Sequence, residues 1–380
     1  MSAECIEEHL KRFQVYDKTV DIVSCWEAVL NYSYKSEFPG FHFDRFPELQ
    51  TEDGSTVTPD FTAYFSTEYG LIGEIKRTFP NDRKAILKEL EQIGKYDQNL
   101  GLQNKVGDYV VPETCDIVVL IEGSSAPQIG TRLQRLINDP EVKFGSQPVL
   151  LRYQFNQDAL DSRYEFQRVT ELEYEFQDDH LPVEKTLYAT IGEGGDYNTL
   201  STKPKYFKSY KVQKPLCNDN PPGPYVATFL WHKIFPESLS EEQYEKWQGS
   251  NGQEKIPIPI TAEELQKKVN EYMHGGTVRQ HWIRKALEFL YEADLARDPK
   301  DTEEEEEGDI VIQFMGLVPE LGSKQRRQEA LEELNQTREL ARIFIQRYCE
   351  NTGEDKEPDL EEEELEDEDG TEQTGFNDFF

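Results

Sequence analysis

The cysteines of this chain form no pattern. Cys5, Cys25, Cys115, Cys217 and Cys349 are far apart and no C-x-x-C occurs, which speaks against a zinc knuckle and against a disulfide scaffold. No apolar run approaches the roughly 18 residues of a membrane span, and "MSAECIEEHLKRF" has no apolar stretch of the kind found in secretory leaders. These absences predict a soluble cytoplasmic protein, nucleoid-associated if prokaryotic, with no membrane partner. No G-K-[ST] phosphate loop is present, and "TIGEGGDYN" lacks the G-x-G-x-x-G order of a dinucleotide site. The six histidines are scattered, with no H-x-H or H-E-x-x-H among them.

Basic residues are scarce as well. Lysine and arginine number 41 against 75 acids, a formal net charge of −34. The segment from Glu350 to Phe380 holds fifteen acids and one lysine, so a net of about −20 stays with the rest. An acidic total argues against loose, non-specific binding to nucleic acid. A local basic groove is still compatible with it, because charges beyond roughly 10 Å are screened at ordinary salt. At 380 residues, with 12% aromatics, the chain can bury two modest cores.

What is present begins with "DKTVDIVSCWEAVLNYSYK", where Ile22, Trp26, Val29 and Leu30 have the spacing of a helix with one buried face. "TVTPDFTAYFST" and "YGLIGEIKRTF" alternate around a charged turn, as two antiparallel strands do. "PNDRKAILKELEQIGKYDQNL" opens on a cap-like Asn81-Asp82 and continues with Ile86, Leu90 and Ile93, a helix pattern. "CDIVVLIEG" reads as a strand buried on both faces; a helix, "APQIGTRLQRLIND", and a strand, "PVLLRYQF", follow. The order predicts an α/β domain over 1–160, a mixed sheet flanked by helices, with one uncertain strand near 41–49.

Residues 161–222 read as a sheet extension, "SRYEFQRVTELEYEF", and a linker. In the linker Lys203, Lys205, Lys208 and Lys211 alternate with Tyr206 and Tyr210. Basic residues interleaved with stacking aromatics suit nucleic acid; a solvated tie between two domains is an equal reading. From 223 to 320 three helical segments precede "DIVIQFMGL", and Thr261 with Glu264 makes a capping box. Three helices and a hairpin is the order of a winged-helix domain. Arg279, Arg284 and Lys285 would then lie near the start of its third helix, where such a domain meets DNA. Winged helices also bind proteins, and an acidic tip at Glu303 to Glu307 would repel phosphates, so both partners stay open. A long amphipathic helix is expected over 321–350.

Two acids and a lysine carry the sharpest signal. Asp60 follows Pro59 at the start of one strand, and Glu74 and Lys76 sit two apart on the next, so both point to one face. Gln92 and Tyr96 are four apart on the following helix. An exposed hairpin with a Glu-Lys pair and an unrelated Asp is the plain alternative. The pattern "PD … EIK … QIGKY" resembles the PD-(D/E)xK nuclease superfamily over roughly 15–160, its last element being similar to the Q-x-x-x-Y motif of RecB-type nucleases. The resemblance implies a restriction-endonuclease-like sheet and metal-dependent hydrolysis of DNA. It implies Asp60, Glu74 and the carbonyl of Ile75 as ligands of Mg²⁺ or Mn²⁺, with Glu27 on the first helix as a further candidate. Lys76 would polarise the attacking water, and Gln92 and Tyr96 would line the site. A homodimer is an option wherever two strands are cut. A non-catalytic DNA- or protein-binding adaptor built on the second domain and tail is the rival expectation.

The segment 351–380 reads as an acidic disordered tail ending in "GTEQTGFNDFF". Gln373, Phe376, Phe379 and Phe380 resemble the peptide that binds sliding clamps, with Phe376 where an aliphatic residue is usual. The end also resembles the tails of single-strand-binding proteins. Docking to a replication or repair protein, mimicry of DNA in the chain's own groove, and simple solubility are all open.

Overall fold

A computed structural model describes residues 3–76, 82–97, 99–123, 149–155, 164–168, 199–201, 216, 220–250, 254–273, 278–299, 308, 310–316 and 329–352. The chain divides into two units, Asp21–Lys211 with Glu366–Phe380, and Met1–Val20 with Val212–Leu365. The first helix, α1 (Ala3–Tyr34), therefore serves both. The expected helix in "APQIGTRLQRLIND", the linker residues Lys203, Lys205, Tyr206, Lys208, Tyr210 and Lys211, Glu303 to Glu307, and Gln373, Phe376, Phe379 and Phe380 lie outside the described residues. No described helix is long and apolar enough to cross a membrane.

The sheet unit is built on seven strands in the order β1-β4-β5-β8-β9-β10-β11. They are β1 (His42–Arg45), β4 (Phe61–Tyr64), β5 (Tyr69–Lys76), β8 (Thr114–Glu122), β9 (Val149–Phe155), β10 (Tyr164–Arg168) and β11 (Thr199–Ser201). Small hairpins β2 (Leu49–Gln50) with β3 (Thr56–Val57) and β6 (Leu102–Gln103) with β7 (Tyr109–Val110) hang beside it. Pairing is antiparallel from β1 to β5, parallel from β5 through β8 to β9, and antiparallel again to β11. The expected mixed sheet with flanking helices is what the chain forms. β5 is buried along its whole length, as a central strand covered on both faces must be.

Each face has its own helix. On one side α2 (Arg83–Gly94) lays Ile86, Leu90 and Ile93 against Ile72, Ile117, Val119 and Ile121. Asp82 starts this helix by accepting hydrogen bonds from the amides of Lys84 and Ala85. On the other side Trp26 of α1 stacks on Phe61 and meets Phe166 edge-on. Phe61 stands opposite Gly73 in the register, and a Cβ on Gly73 would come within 2.0 Å of its ring. Only glycine allows that approach. Because side chains alternate along a strand, Ile72, Glu74 and Lys76 share the α2 side.

In the helical unit, α3 (Gly223–Phe229) runs through one π-type stretch into a last turn at Phe235–Ser238. Then come α4 (Glu241–Gly249), β12 (Ile256–Ile260), α5 (Ala262–Tyr272), α6 (Gln280–Glu292), β13 (Ala296–Arg297), β14 (Ile310–Phe314) and α7 (Glu329–Thr352). The three strands lie in the order β12-β14-β13, all antiparallel. The capping box expected at Thr261 and Glu264 is formed, and Ser240 with Gln243 makes another. A core of Trp282, Ile283, Ala286, Phe289 and Leu290 faces inward from α6. The N-terminal half of α1 joins it: Tyr16 packs edge-on to Tyr225, and Asp17 pairs with Arg338 at 2.6 Å.

One pairing corrects the reading of the cysteines. Cys5 and Cys349 form a disulfide across 344 residues of sequence, while Cys25 and Cys115 are not disulfide-bonded. Spacing rules register only neighbours in sequence, so a bridge between α1 and α7 left no trace in them. Such a bridge is uncommon in a reducing compartment.

Candidate active site

Pro59, which has no backbone N–H, precedes β4, and β5 runs on past the end of that antiparallel partner. The last register pair is Phe61 with Gly73, leaving Glu74, Ile75 and Lys76 with only β8 beside them in the sheet. Asp60 fills the vacated side: its Oδ2 accepts the amide of Ile75 at 2.6 Å. An acid at the strand start is thus tied to the backbone between the other two site residues.

Glu74 and Lys76 point together toward α2 and are both about 5% exposed or less. Lys76 Nζ lies 2.9 Å from Glu74 Oε1. The other oxygen of Glu74, Oε2, accepts the Tyr96 hydroxyl at 2.7 Å. Tyr96 sits just past the end of α2 in a single 3₁₀ turn, Lys95–Asp97, and is held by the apolar cluster of that face. Gln92, one turn earlier, hydrogen-bonds the same hydroxyl. The expected pair on one helix face therefore converges on one oxygen.

A third acid at the site, Glu89, was not among the expected residues. It pairs with Lys76 from α2, one turn before Gln92. Spacing within β5 could not reveal it, because the contact crosses from strand to helix. The helical step from Glu89 to Gln92 and Tyr96 places all three on one face.

Electrostatics follow from burial and neighbours. Burial disfavours the Lys76 ammonium, but the carboxylates of Glu74 and Glu89 outweigh it and raise the pKa above the ordinary lysine value. Lys76 is therefore a charged donor at neutral pH. Burial, then the Glu74 and Asp60 carboxylates, push the Tyr96 hydroxyl well above its usual value, against the hydrogen bond with Gln92. Tyr96 stays protonated, and both acids are near enough to act on it.

Glu27 is elsewhere. Arg45 stands opposite Phe61 in the β1–β4 register and so shares its α1 side. Its Nε pairs with Glu27, and a second nitrogen donates to Ser24 Oγ at 2.9 Å. The structure joins Glu27 to Arg45 on the α1 side of the sheet, whereas Glu74 points to the α2 side. Of the residues tied to the second domain, Arg279 precedes α6 with its guanidinium 5.9 Å from the Trp282 ring, and Arg284 and Lys285 are exposed on that helix.

Among the described residues no group of three or more His, Cys, Asp or Glu is arranged to hold a metal. Mg²⁺ needs less than that: it takes one or two carboxylates and keeps several waters. The carboxylates of Asp60, on the Ile75 amide, and of Glu74, on the Tyr96 hydroxyl, with the carbonyl of Ile75 next in sequence to Glu74, are hard oxygen donors of that kind. The donor set fits a small divalent cation. Comparison of the chain with protein-family models, with curated proteins and with solved structures finds no match.

Proposed function

We propose that the sheet unit is a metal-dependent nuclease of the PD-(D/E)xK type that hydrolyses phosphodiester bonds in DNA. The observation that carries the reading is the acid-rich end of β5, where Asp60 caps the strand and Glu74, Lys76 and Tyr96 form one hydrogen-bonded group. Mg²⁺ or Mn²⁺, when bound, would supply charge neutralisation at the phosphate and an acidified water. Asp60 and Glu74 would hold the ion, helped by the Ile75 carbonyl. The protonated Lys76 would donate toward the oxygen on which negative charge develops. Gln92 and Tyr96 would fix the Glu74 carboxylate and line the site's edge. Such an enzyme serves genome maintenance, recombination or defence against foreign DNA.

The test is incubation of the purified protein with linear, circular single-stranded and supercoiled DNA in Mg²⁺, Mn²⁺ or EDTA, beside Glu74→Ala. Metal-dependent cutting that disappears in the variant upholds the reading. No cutting of any substrate in either metal sinks it.

The helical unit favours a second activity, binding. Three antiparallel strands in the order β12-β14-β13, with α5 and α6 between β12 and β13 in the chain, support the winged-helix reading. Its α6 presents Arg284 and Lys285 outward, where they would meet a DNA backbone or an acidic protein surface. If the chain is an adaptor alone, Arg284→Ala with Lys285→Ala weakens partner binding while Asp60→Ala changes nothing measurable. The C-terminal peptide with Gln373, Phe376, Phe379 and Phe380 would recruit a sliding clamp or another repair protein, a proposal resting on its sequence only.

A further inference from the structure

Lys76 sits between carboxylates from two different elements, Glu74 on its own strand and Glu89 on α2. An ammonium this deeply buried cannot be left without a carboxylate at tolerable cost. Glu74 is committed twice, to Lys76 through Oε1 and to Tyr96 through Oε2. Any cation that uses Glu74 must compete with the lysine for Oε1. Glu89 has no role in the strand or the hairpin, and its side chain reaches across from the helix to the ammonium.

We propose that Glu89 is a positioning residue that keeps Lys76 paired when Glu74 turns to a divalent cation. The Glu74 carboxylate then exchanges one positive partner for another, and Lys76 stays beside the site, paired with Glu89. This rests on the nuclease reading. Glu89 acts through Lys76 and touches neither the cation nor the substrate. It fixes which way the lysine turns when the site is loaded.

The test is Mn²⁺ binding to the full chain, followed by electron paramagnetic resonance or calorimetry. It compares wild type, Glu89→Gln, Glu89→Asp, Lys76→Met and the double variant Lys76→Met/Glu89→Gln, each checked by circular dichroism and melting. Glu89→Gln is expected to weaken Mn²⁺ binding about 10–100-fold, as loss of a group that orients a ligand does. Glu89→Asp keeps the charge and recovers part of the loss. Lys76→Met removes the competitor, so it binds Mn²⁺ at least as tightly as wild type, and in that background Glu89→Gln has no further effect. Should Glu89→Gln not fold, Glu89→Asp alone and combined with Lys76→Met gives the same ordering by a smaller factor.

Wild-type affinity in Glu89→Gln overturns the proposal. So does an equal loss with and without Lys76, which would have Glu89 act on the ion or the fold directly. If the wild type binds no Mn²⁺, this proposal and the nuclease reading fall together. If Mn²⁺ binds with the expected ordering and no DNA is cut, only the nuclease reading falls.

Discussion

Among its described residues the sheet unit contains two buried acid–base pairs that differ in their surroundings. Glu27 and Arg45 lie on the α1 side, one carboxylate facing one guanidinium, with Ser24 taking up a further N–H. Glu74 and Lys76 lie on the α2 side, where Glu89 shares the ammonium and Asp60 is near enough to act on the Tyr96 hydroxyl. A pair built on a rigid guanidinium ties a helix to a strand. A buried group with more acid than base is stable only near a further positive charge. The raised Lys76 and Tyr96 pKa values mark the second group as one where charges are left in tension, and function tends to gather at such places. The residue types alone do not separate a site from a strut; the neighbours do.

The contrast is sharpest under deletion. Glu27→Ala strands the Arg45 charge in the interior and is expected to cost about 3–5 kcal/mol of stability, read as a lower denaturation midpoint of the sheet unit. The folded fraction should still cut DNA at the wild-type rate. If cutting vanishes in protein that is fully folded, the two pairs are not distinct and Glu27 returns to the metal site. Glu74→Ala and Lys76→Ala go the other way: a fall of about 10²–10³-fold in cleavage rate, with near-normal circular dichroism. A melting loss as large as that of Glu27→Ala would make the second pair a strut too.

Gly73 separates the two sides of β5, with Phe61 against it on the α1 side and its neighbours Ile72 and Glu74 on the α2 side. Gly73→Ala should cost about 1–3 kcal/mol through overpacking and lower cleavage by displacing Glu74. A variant with normal melting and normal cleavage would show that the Phe61 ring yields freely.

Much of this was legible from the chain. Asp82 announced α2, Ile86, Leu90 and Ile93 gave its buried face, and the alternation around "STEYG" gave the hairpin that carries the site. What escaped was whatever depends on contact between elements. Glu89 is an ordinary acid on an exposed-looking helix until α2 lies over the end of β5. Glu27 is equally placed for two roles until Arg45 takes it. "IPIPI" carries prolines that argue against a strand, yet β12 is an edge strand, where the missing N–H groups need no partner.

A half-buried ionisable group extends the comparison to the helical unit and gives the smallest effect. His9, on the N-terminal half of α1, meets Tyr348 at 5.0 Å and Phe289 at 6.5 Å between ring centres. Burial, then the Arg12 guanidinium, lower its pKa from the usual 6.5, with Glu8 opposing. The folded state thus favours neutral imidazole, and the unfolded chain takes up a proton first. The stability contribution is present above about pH 6.5 and is lost as pH falls through the folded value. Melts from about pH 7.5 to about pH 5.5 should show the midpoint of the wild type falling more than that of His9→Gln. Parallel loss in both proteins would mean that His9 finds a compensating charge as it protonates.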